Sequence, residues 1–139
     1  MNEIERFIGK FEGTGAWHDS AGKSSGYRIR QTNLATADGF QIGFRHDFDD
    51  GTVVQARFDM TWVVPHIFRV EVSDVSVGHG YVFDACCHYH LKAGDAFVEA
   101  SYRFIADTVE VFGSSTKNAE GNYIAWTEIL RRVSGRADR

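Results

Sequence analysis

The amino-acid sequence predicts an all-β protein that folds as one up-and-down antiparallel β-barrel of about nine strands. Apolar and polar residues alternate with a period of two over most of the chain, which is typical of strands with one buried face. Asp-Gly pairs and similar turn signals separate the alternating segments at fairly even spacing. Pro65 is the only proline in 139 residues, which favours long strands. We expect residues 1–139 to form a single domain.

The N-terminal segment differs from the rest of the chain. Ile4, Phe7, Ile8 and Phe11 recur at helical spacing. We therefore predict one short amphipathic helix over residues 4–11, lying against the barrel.

The segments after this helix alternate strictly enough for an inward face to be assigned to each. The predicted inward sets are Phe40, Ile42, Phe44, His46 and Phe48; Val54, Ala56, Phe58, Met60 and Trp62; Phe68, Val70 and Val72; Tyr81, Phe83, Ala85, Cys87 and Tyr89; and Val98, Ala100, Tyr102 and Phe104. The predicted turns are 19–22, 38–39, 49–51, 65–66, 78–80, 93–95, 107–108 and 118–122. Consecutive hairpins with one apolar face indicate an antiparallel meander.

The edge strands of such a meander are a reason to expect that it closes into a barrel. An open sheet would leave two long edge strands exposed to pairing with other chains, whereas a barrel has none. A sandwich of two sheets is the alternative architecture.

Bulk composition limits the partners of the protein. A net charge of −4 and a pI near 5.8 supply no field for nucleic acid. The N-terminus lacks the apolar core of a signal peptide, and no apolar run is long enough to span a membrane. Cys86 and Cys87 are neighbours that would point to opposite faces of a strand, so we expect no disulfide between them. We expect a cytoplasmic protein that binds neither nucleic acid nor membranes.

A short motif carries a resemblance to a known superfamily. Gly15-Ala16-Trp17 places a Gly-x-Trp pattern on the first strand, just after the predicted helix. This arrangement resembles the calycin superfamily of lipocalins, fatty-acid-binding proteins and their bacterial relatives. The resemblance implies that Trp17 closes one end of the barrel beneath an arginine of the last strand, either Arg131 or Arg132. An arginine plane stacks well on an indole face.

The stretch 9–17 is also similar to the start of nitrobindin-like haem barrels. Those proteins bind haem through a histidine near the C-terminus, and here no histidine follows His90. We therefore expect neither haem nor another cofactor.

His46 is the main candidate for chemistry, because it lies on an apolar face between Phe44 and Phe48. Burial would keep its imidazole neutral, able to position a polar group or to take a proton. Tyrosines on inward faces would add polar tips to an apolar pocket, and small inward residues such as Ala100 would leave it space. The predicted ligand-binding residues are His46, Tyr27, Phe44, Phe58, Met60, Tyr89 and Tyr102.

One predicted strand contains a ladder of side chains that are competent to bind a metal. Asp84, Cys86, His88 and His90 share one face of a predicted strand over 81–90. We expect that face to meet solvent and to hold no metal, because Phe83, Ala85 and Tyr89 occupy the other face. A register change of one residue would reverse the assignment.

Three functions are compatible with these residues. The first is binding of a small apolar or amphipathic ligand inside the barrel. The second is an enzyme of isomerase, cyclase or lyase type, in which His46 and a cavity tyrosine such as Tyr102 transfer a proton. The third is a structural domain with a filled core that forms a homodimer.

Overall fold

The computed structural model describes residues 3–116 and 121–134 and shows a closed barrel of ten antiparallel strands. Every strand pairs with the next along the chain, and the first pairs with the last. The strands are β1 (Gly9–Asp19), β2 (Ser24–Ala35), β3 (Gly39–Phe48), β4 (Val53–Val64), β5 (Ile67–Val72), β6 (Val75–Phe83), β7 (Cys86–Ala93), β8 (Ala96–Ile105), β9 (Thr108–Ser115) and β10 (Ile124–Ser134). The predicted fold class is confirmed, and the sandwich is excluded. Within the described ranges, no helix is long and apolar enough to cross a membrane.

The count of ten strands differs from the predicted nine because the segment 81–90 is a hairpin and not one strand. β6 ends at Phe83, Asp84 adopts a positive φ of 49° in the turn, and β7 begins at Cys86. The predicted turn at 78–80 lies inside β6. Its glycines are there because a side chain at Gly78 or Gly80 would collide with carbonyl groups of β7. Of the predicted turn 118–122, residues 118–120 lie outside the described residues.

Because of this hairpin, the side chains of β6 that point into the barrel differ from the predicted ones. Val82 is fully buried, whereas Tyr81 and Phe83 are exposed, so the inward assignment of those two aromatics is wrong. β7 has the predicted register, with Cys87 and Tyr89 buried. Its other face meets solvent, and the described part of the chain contains no group of three side chains able to hold a metal ion.

The predicted helix over 4–11 is wrong in its second half. A 3₁₀ helix spans Glu3–Phe7, and the chain then becomes strand β1 at Gly9. Gly9 has a φ of 139°, a conformation that residues with a side chain rarely adopt. Ile4, Phe7, Ile8 and Phe11 are all buried, because the 3₁₀ helix and the start of β1 together cover one end of the barrel.

Arg132 holds this closed end together. Its guanidinium lies 4.8 Å from the ring centre of Phe11, and its Nη1 and Nη2 donate hydrogen bonds to the carbonyls of Ile8 (2.6 Å) and Arg6 (2.7 Å). One side chain of the last strand therefore binds the 3₁₀ helix and the first strand at once.

The expected stacking of an arginine on Trp17 is therefore corrected to stacking of Arg132 on Phe11. β1 and β10 align Phe11 with Arg132, while Trp17 is aligned with Trp126. Trp17 follows Phe11 by six positions along β1, a distance of roughly 20 Å at about 3.3 Å per residue. Trp17 consequently lies toward the opposite end of the barrel, and Arg131 is exposed.

We predict that Phe11→Ala lowers the free energy of unfolding by about 3–5 kcal/mol, because Phe11 is 1% exposed and supports both Arg132 and Phe104. Trp17→Ala should cost less, since Trp17 is only partly buried. Urea unfolding of both variants measures the difference. If Trp17→Ala lowered the free energy of unfolding more than Phe11→Ala, the assignment of Phe11 as the residue that closes the barrel end would be wrong.

Candidate ligand-binding cavity

The half of the barrel away from the 3₁₀ helix contains a cavity of about 340 Å³. Side chains from β1, β2, β3, β4, β7, β8 and β10 form its wall. The lining residues are Trp17, Tyr27, Gln31, Phe44, His46, Phe48, Phe58, Tyr89, Val98, Ala100, Tyr102, Ile124, Trp126 and Glu128. Six of the seven residues predicted for a ligand site thus lie on one cavity wall; their part in binding stays a prediction.

Met60 is the exception among the seven. It is 2% exposed and aligned with Phe40 and Val70, and it does not line the cavity. Met60 lies on the same face of β4 as Phe58 but two residues, or roughly 7 Å, nearer the closed end. There the barrel is filled by side chains, so Met60 belongs to the packed core.

Seven of the lining rings form a continuous series, which we call the aromatic belt. Neighbouring rings contact each other in the order Phe48, Tyr27, His46, Phe44, Phe58, Tyr89 and Tyr102. Their centroids are 4.5–6.0 Å apart, within the range of favourable aromatic pairs. The belt gives a ligand flat apolar surfaces on several sides.

A row across three strands brings a buried acid into this wall. β1 aligns Gly15 with Tyr27 of β2 on one side and with Glu128 of β10 on the other. The Tyr27 hydroxyl passes over Gly15 and donates a 2.7 Å hydrogen bond to Glu128 Oε2. A side chain at position 15 would collide with the Tyr27 ring and with Glu128, so glycine is required for this contact. Gly15 of the Gly-x-Trp motif thus makes room for a contact on the cavity wall.

Burial controls the charge of Glu128. The side chain is 5% exposed, and this desolvation raises the pKa of its carboxyl to about 7, although the hydrogen bond from Tyr27 acts in the opposite direction. Desolvation and the nearby carboxylate also raise the pKa of Tyr27, which keeps its hydroxyl protonated as a donor. Glu128 can therefore gain or lose a proton near neutral pH.

His46 lies next to this pair. Its Nε2 is 3.8 Å from Glu128 Oε2, its ring stacks on Phe44, and its centroid is 4.7 Å from that of Tyr27. Burial lowers the pKa of His46 to about 4, against a smaller opposite effect of the Asp47 charge. The imidazole is neutral at physiological pH, as the sequence predicted from its apolar neighbours. Glu128, Tyr27 and His46 form what we call the polar cluster.

The wall has two further sets of polar groups, the Gln31 side chain and the hydroxyls of Tyr89 and Tyr102. Gln31 donates from Nε2 to Asn33 Oδ1 (3.0 Å), and Asn33 in turn donates to the Phe7 carbonyl (2.8 Å), which orients Gln31. The hydroxyls of Tyr89 and Tyr102 are 3.4 Å apart. Tyr102 is thus paired with Tyr89, and the tyrosine beside His46 is Tyr27.

Sequence reasoning missed Glu128 as a cavity residue, although the signal was present. Ile124, Trp126, Glu128 and Leu130 alternate along β10, and three of these four are apolar. An acid at the third position of such a set is as conspicuous as His46 between two phenylalanines. Alternation also places Gln31 on the face of Tyr27 and Ile29, opposite Arg30, so it too could have been found from the sequence.

We predict that Glu128→Gln stabilises the ligand-free protein at alkaline pH. Glu128 has a raised pKa in the folded state, so its ionisation opposes folding; this cost is absent below about pH 4.5, grows up to about pH 7 and is constant above it. Glutamine keeps an acceptor for Tyr27 without the charge. The gain in unfolding free energy over wild type should therefore rise with pH to about 2–3 kcal/mol at pH 8.

Urea unfolding between pH 4 and pH 9 measures this gain, with Glu12→Gln as the control because Glu12 is exposed on β1. A gain that does not change with pH, or one shared by the control, would contradict the raised pKa of Glu128.

Comparison with known proteins supports the fold. No protein-family model and no curated protein matches the chain. The S-type phycobiliprotein lyase CPES from Guillardia theta has a similar structure, with a TM-score of 0.76 and 13% identity over 95% of this chain and 91% of that chain. Rv2717c from M. tuberculosis has a TM-score of 0.69 and 10% identity, covering 96% of this chain and 99% of its own.

A redesigned β-barrel, mFAP1, solved with DFHBI bound, has a TM-score of 0.52 and 12% identity, covering 95% of this chain and 100% of that chain. At such low identities these likenesses concern the fold alone. Together with the ten-stranded closed barrel, they show that the chain has a calycin-type fold.

Proposed function

We propose that the protein binds a small apolar or amphipathic molecule in the cavity. The apolar body of the ligand would lie against the aromatic belt, and its polar group would meet the polar cluster. The observation that carries this proposal is a carboxyl group, 5% exposed, on the wall of an otherwise largely apolar cavity. Pockets of this composition are typical of small-molecule sites, in which a few polar groups orient the ligand.

The energetics favour a ligand site over a purely structural core. A buried carboxyl is costly unless it is fully hydrogen-bonded, and Tyr27 satisfies only one of its oxygens. A space of about 340 Å³ next to that carboxyl also argues against the filled core that a structural domain would have. mFAP1, a redesigned β-barrel of similar fold, was solved bound to DFHBI. Homodimerisation and a cytoplasmic location remain predictions.

A cavity-filling variant tests this proposal. Ala100 is 4% exposed on the cavity wall, so Ala100→Leu should occupy part of the space and weaken binding of the neutral probe N-phenyl-1-naphthylamine by about tenfold or more. Fluorescence titration of the probe measures the change. Ala125→Leu is the matched control, because Ala125 is exposed on β10 and its variant should bind within about twofold of wild type.

Two results would count against the proposal. The probe could fail to bind the wild-type protein, or the two leucine variants could bind it equally well. Native mass spectrometry of the purified protein adds an independent measurement, since a molecule held in the cavity should co-purify at up to one copy per chain.

Proton transfer on the bound molecule is a second candidate function. The observation in its favour is the pairing of a carboxyl whose pKa is about 7 with a neutral imidazole 3.8 Å away, because groups that titrate near neutral pH are suited to acid–base catalysis. We expect His46→Phe to abolish any conversion of a co-purified molecule followed by chromatography. The same variant should weaken its binding by about tenfold, the scale of one buried hydrogen bond. A molecule that is bound but never converted would leave binding as the function.

A further inference from the structure

We propose that the cavity selects ligands whose buried end is a positively charged nitrogen, such as a protonated amine, over ligands that end in a carboxylate. This inference rests on the proposed binding function and adds the chemical class of the ligand. It depends on the charges of the wall, the free oxygen of Glu128 and the faces of the surrounding rings.

The ionisable groups of the described wall can supply a negative charge but no permanent positive one. They are Tyr27 on β2, His46 on β3, Tyr89 on β7, Tyr102 on β8 and Glu128 on β10. Neither arginine nor lysine is among the described lining residues, so the cavity has no permanent positive charge. His46 is neutral, and burial keeps the three tyrosines protonated by raising the pKa of each. A carboxylate ligand would meet no cation and would face Glu128.

Glu128 has an oxygen available to such a ligand. Tyr27 donates to Oε2, and no other hydrogen bond from the described residues reaches this carboxyl. The remaining oxygen, Oε1, can accept a hydrogen bond from an ammonium group in the cavity. A charge-assisted hydrogen bond of this kind is roughly twice as strong as a neutral one. It would also neutralise a carboxylate that is costly to bury alone.

The aromatic belt provides the second source of attraction for a cation. The ring faces of Tyr27, Phe44 and Phe48 lie in the same series of contacts as His46, next to Glu128. Trp17 and Trp126 line the cavity as well. Aromatic faces attract cations within about 6 Å of the ring centre, and tryptophan does so best. An acid surrounded by ring faces therefore favours an organic cation over a neutral alcohol of the same shape.

Negative charges outnumber positive ones in the described turns at the open end. Asp49, Asp50, Asp74 and Asp95 lie in the hairpins that surround the mouth, and Lys23 is the only lysine or arginine in the described parts of these hairpin turns. Aspartates are common in turns for reasons of backbone geometry, but their charge acts on an approaching molecule regardless of that origin. A negative rim raises the local concentration of cations and speeds their entry.

Three probes with one apolar body and different heads test this inference by calorimetry at about pH 8, where an alkylamine is still protonated. They are naphthalene-1-methylamine, naphthalene-1-methanol and naphthalene-1-carboxylic acid. We expect the amine to bind about tenfold or more tighter than the alcohol, and the acid to bind most weakly. Glu128→Gln should weaken the amine by about tenfold and the alcohol by less than about threefold, while the control Glu12→Gln changes neither.

The pH dependence gives a separate readout. Glu128 must be ionised to hold the cation, so affinity for the amine should increase from about pH 5.5 to about pH 8 and then level off. Affinity for the alcohol should stay nearly constant, and Glu128→Gln should remove the dependence shown by the amine.

The outcomes separate this inference from the proposed function. If the alcohol binds and the amine binds no tighter, or if the acid binds best, the preference for a cation is wrong and the binding function stands. If none of the three binds at millimolar concentration and N-phenyl-1-naphthylamine also fails, both proposals are overturned.

Discussion

The pairing of β1 with β10 is the constraint on which the rest of the structure depends. It closes the barrel, and its register places Gly15 beside Glu128 and Phe11 beside Arg132. The first alignment makes room for the hydrogen bond from Tyr27 to Glu128, and the second seals one end. A shift of one residue would turn Glu128 outward, because successive side chains of a strand point to opposite faces. Closure of the barrel and formation of the candidate site are therefore one event.

The two ends of the barrel have different roles, and the difference comes from how fully each is packed. At the closed end the 3₁₀ helix, Phe11 and Phe104 fill the interior, and Arg132 donates to the carbonyls of Arg6 in the helix and of Ile8 just after it. At the open end the inward residues leave a cavity. Ala100 leaves space there, and Gly15 gives way to the Tyr27 ring. A firmly packed end allows the other end to remain hollow without loss of the fold, because stability is supplied mainly by the buried core.

In the polar cluster, burial shifts the pKa values of two groups in opposite directions. Desolvation disfavours charge, so it raises the pKa of Glu128 and lowers that of His46. Between about pH 4 and pH 7 the neutral forms of both predominate, and the cavity then has hydrogen-bonding groups without charge. Above about pH 7 the carboxylate is the one charge on the described wall. This behaviour links the proposed ligand preference to pH.

The sequence alone determined the fold class, the inward register of β3 and most of the cavity residues, because period-two alternation reports directly which side chains share a face. It also identified His46, whose two neighbours on that face are phenylalanines. Only the tertiary structure decided that Glu128 contacts Tyr27, that Phe11 and not Trp17 stacks under arginine, and that Gly78 and Gly80 lie within a strand. These features depend on which residues of separate strands are brought opposite each other. Strand register is set by closure of the whole barrel, so it cannot be predicted from a local sequence pattern.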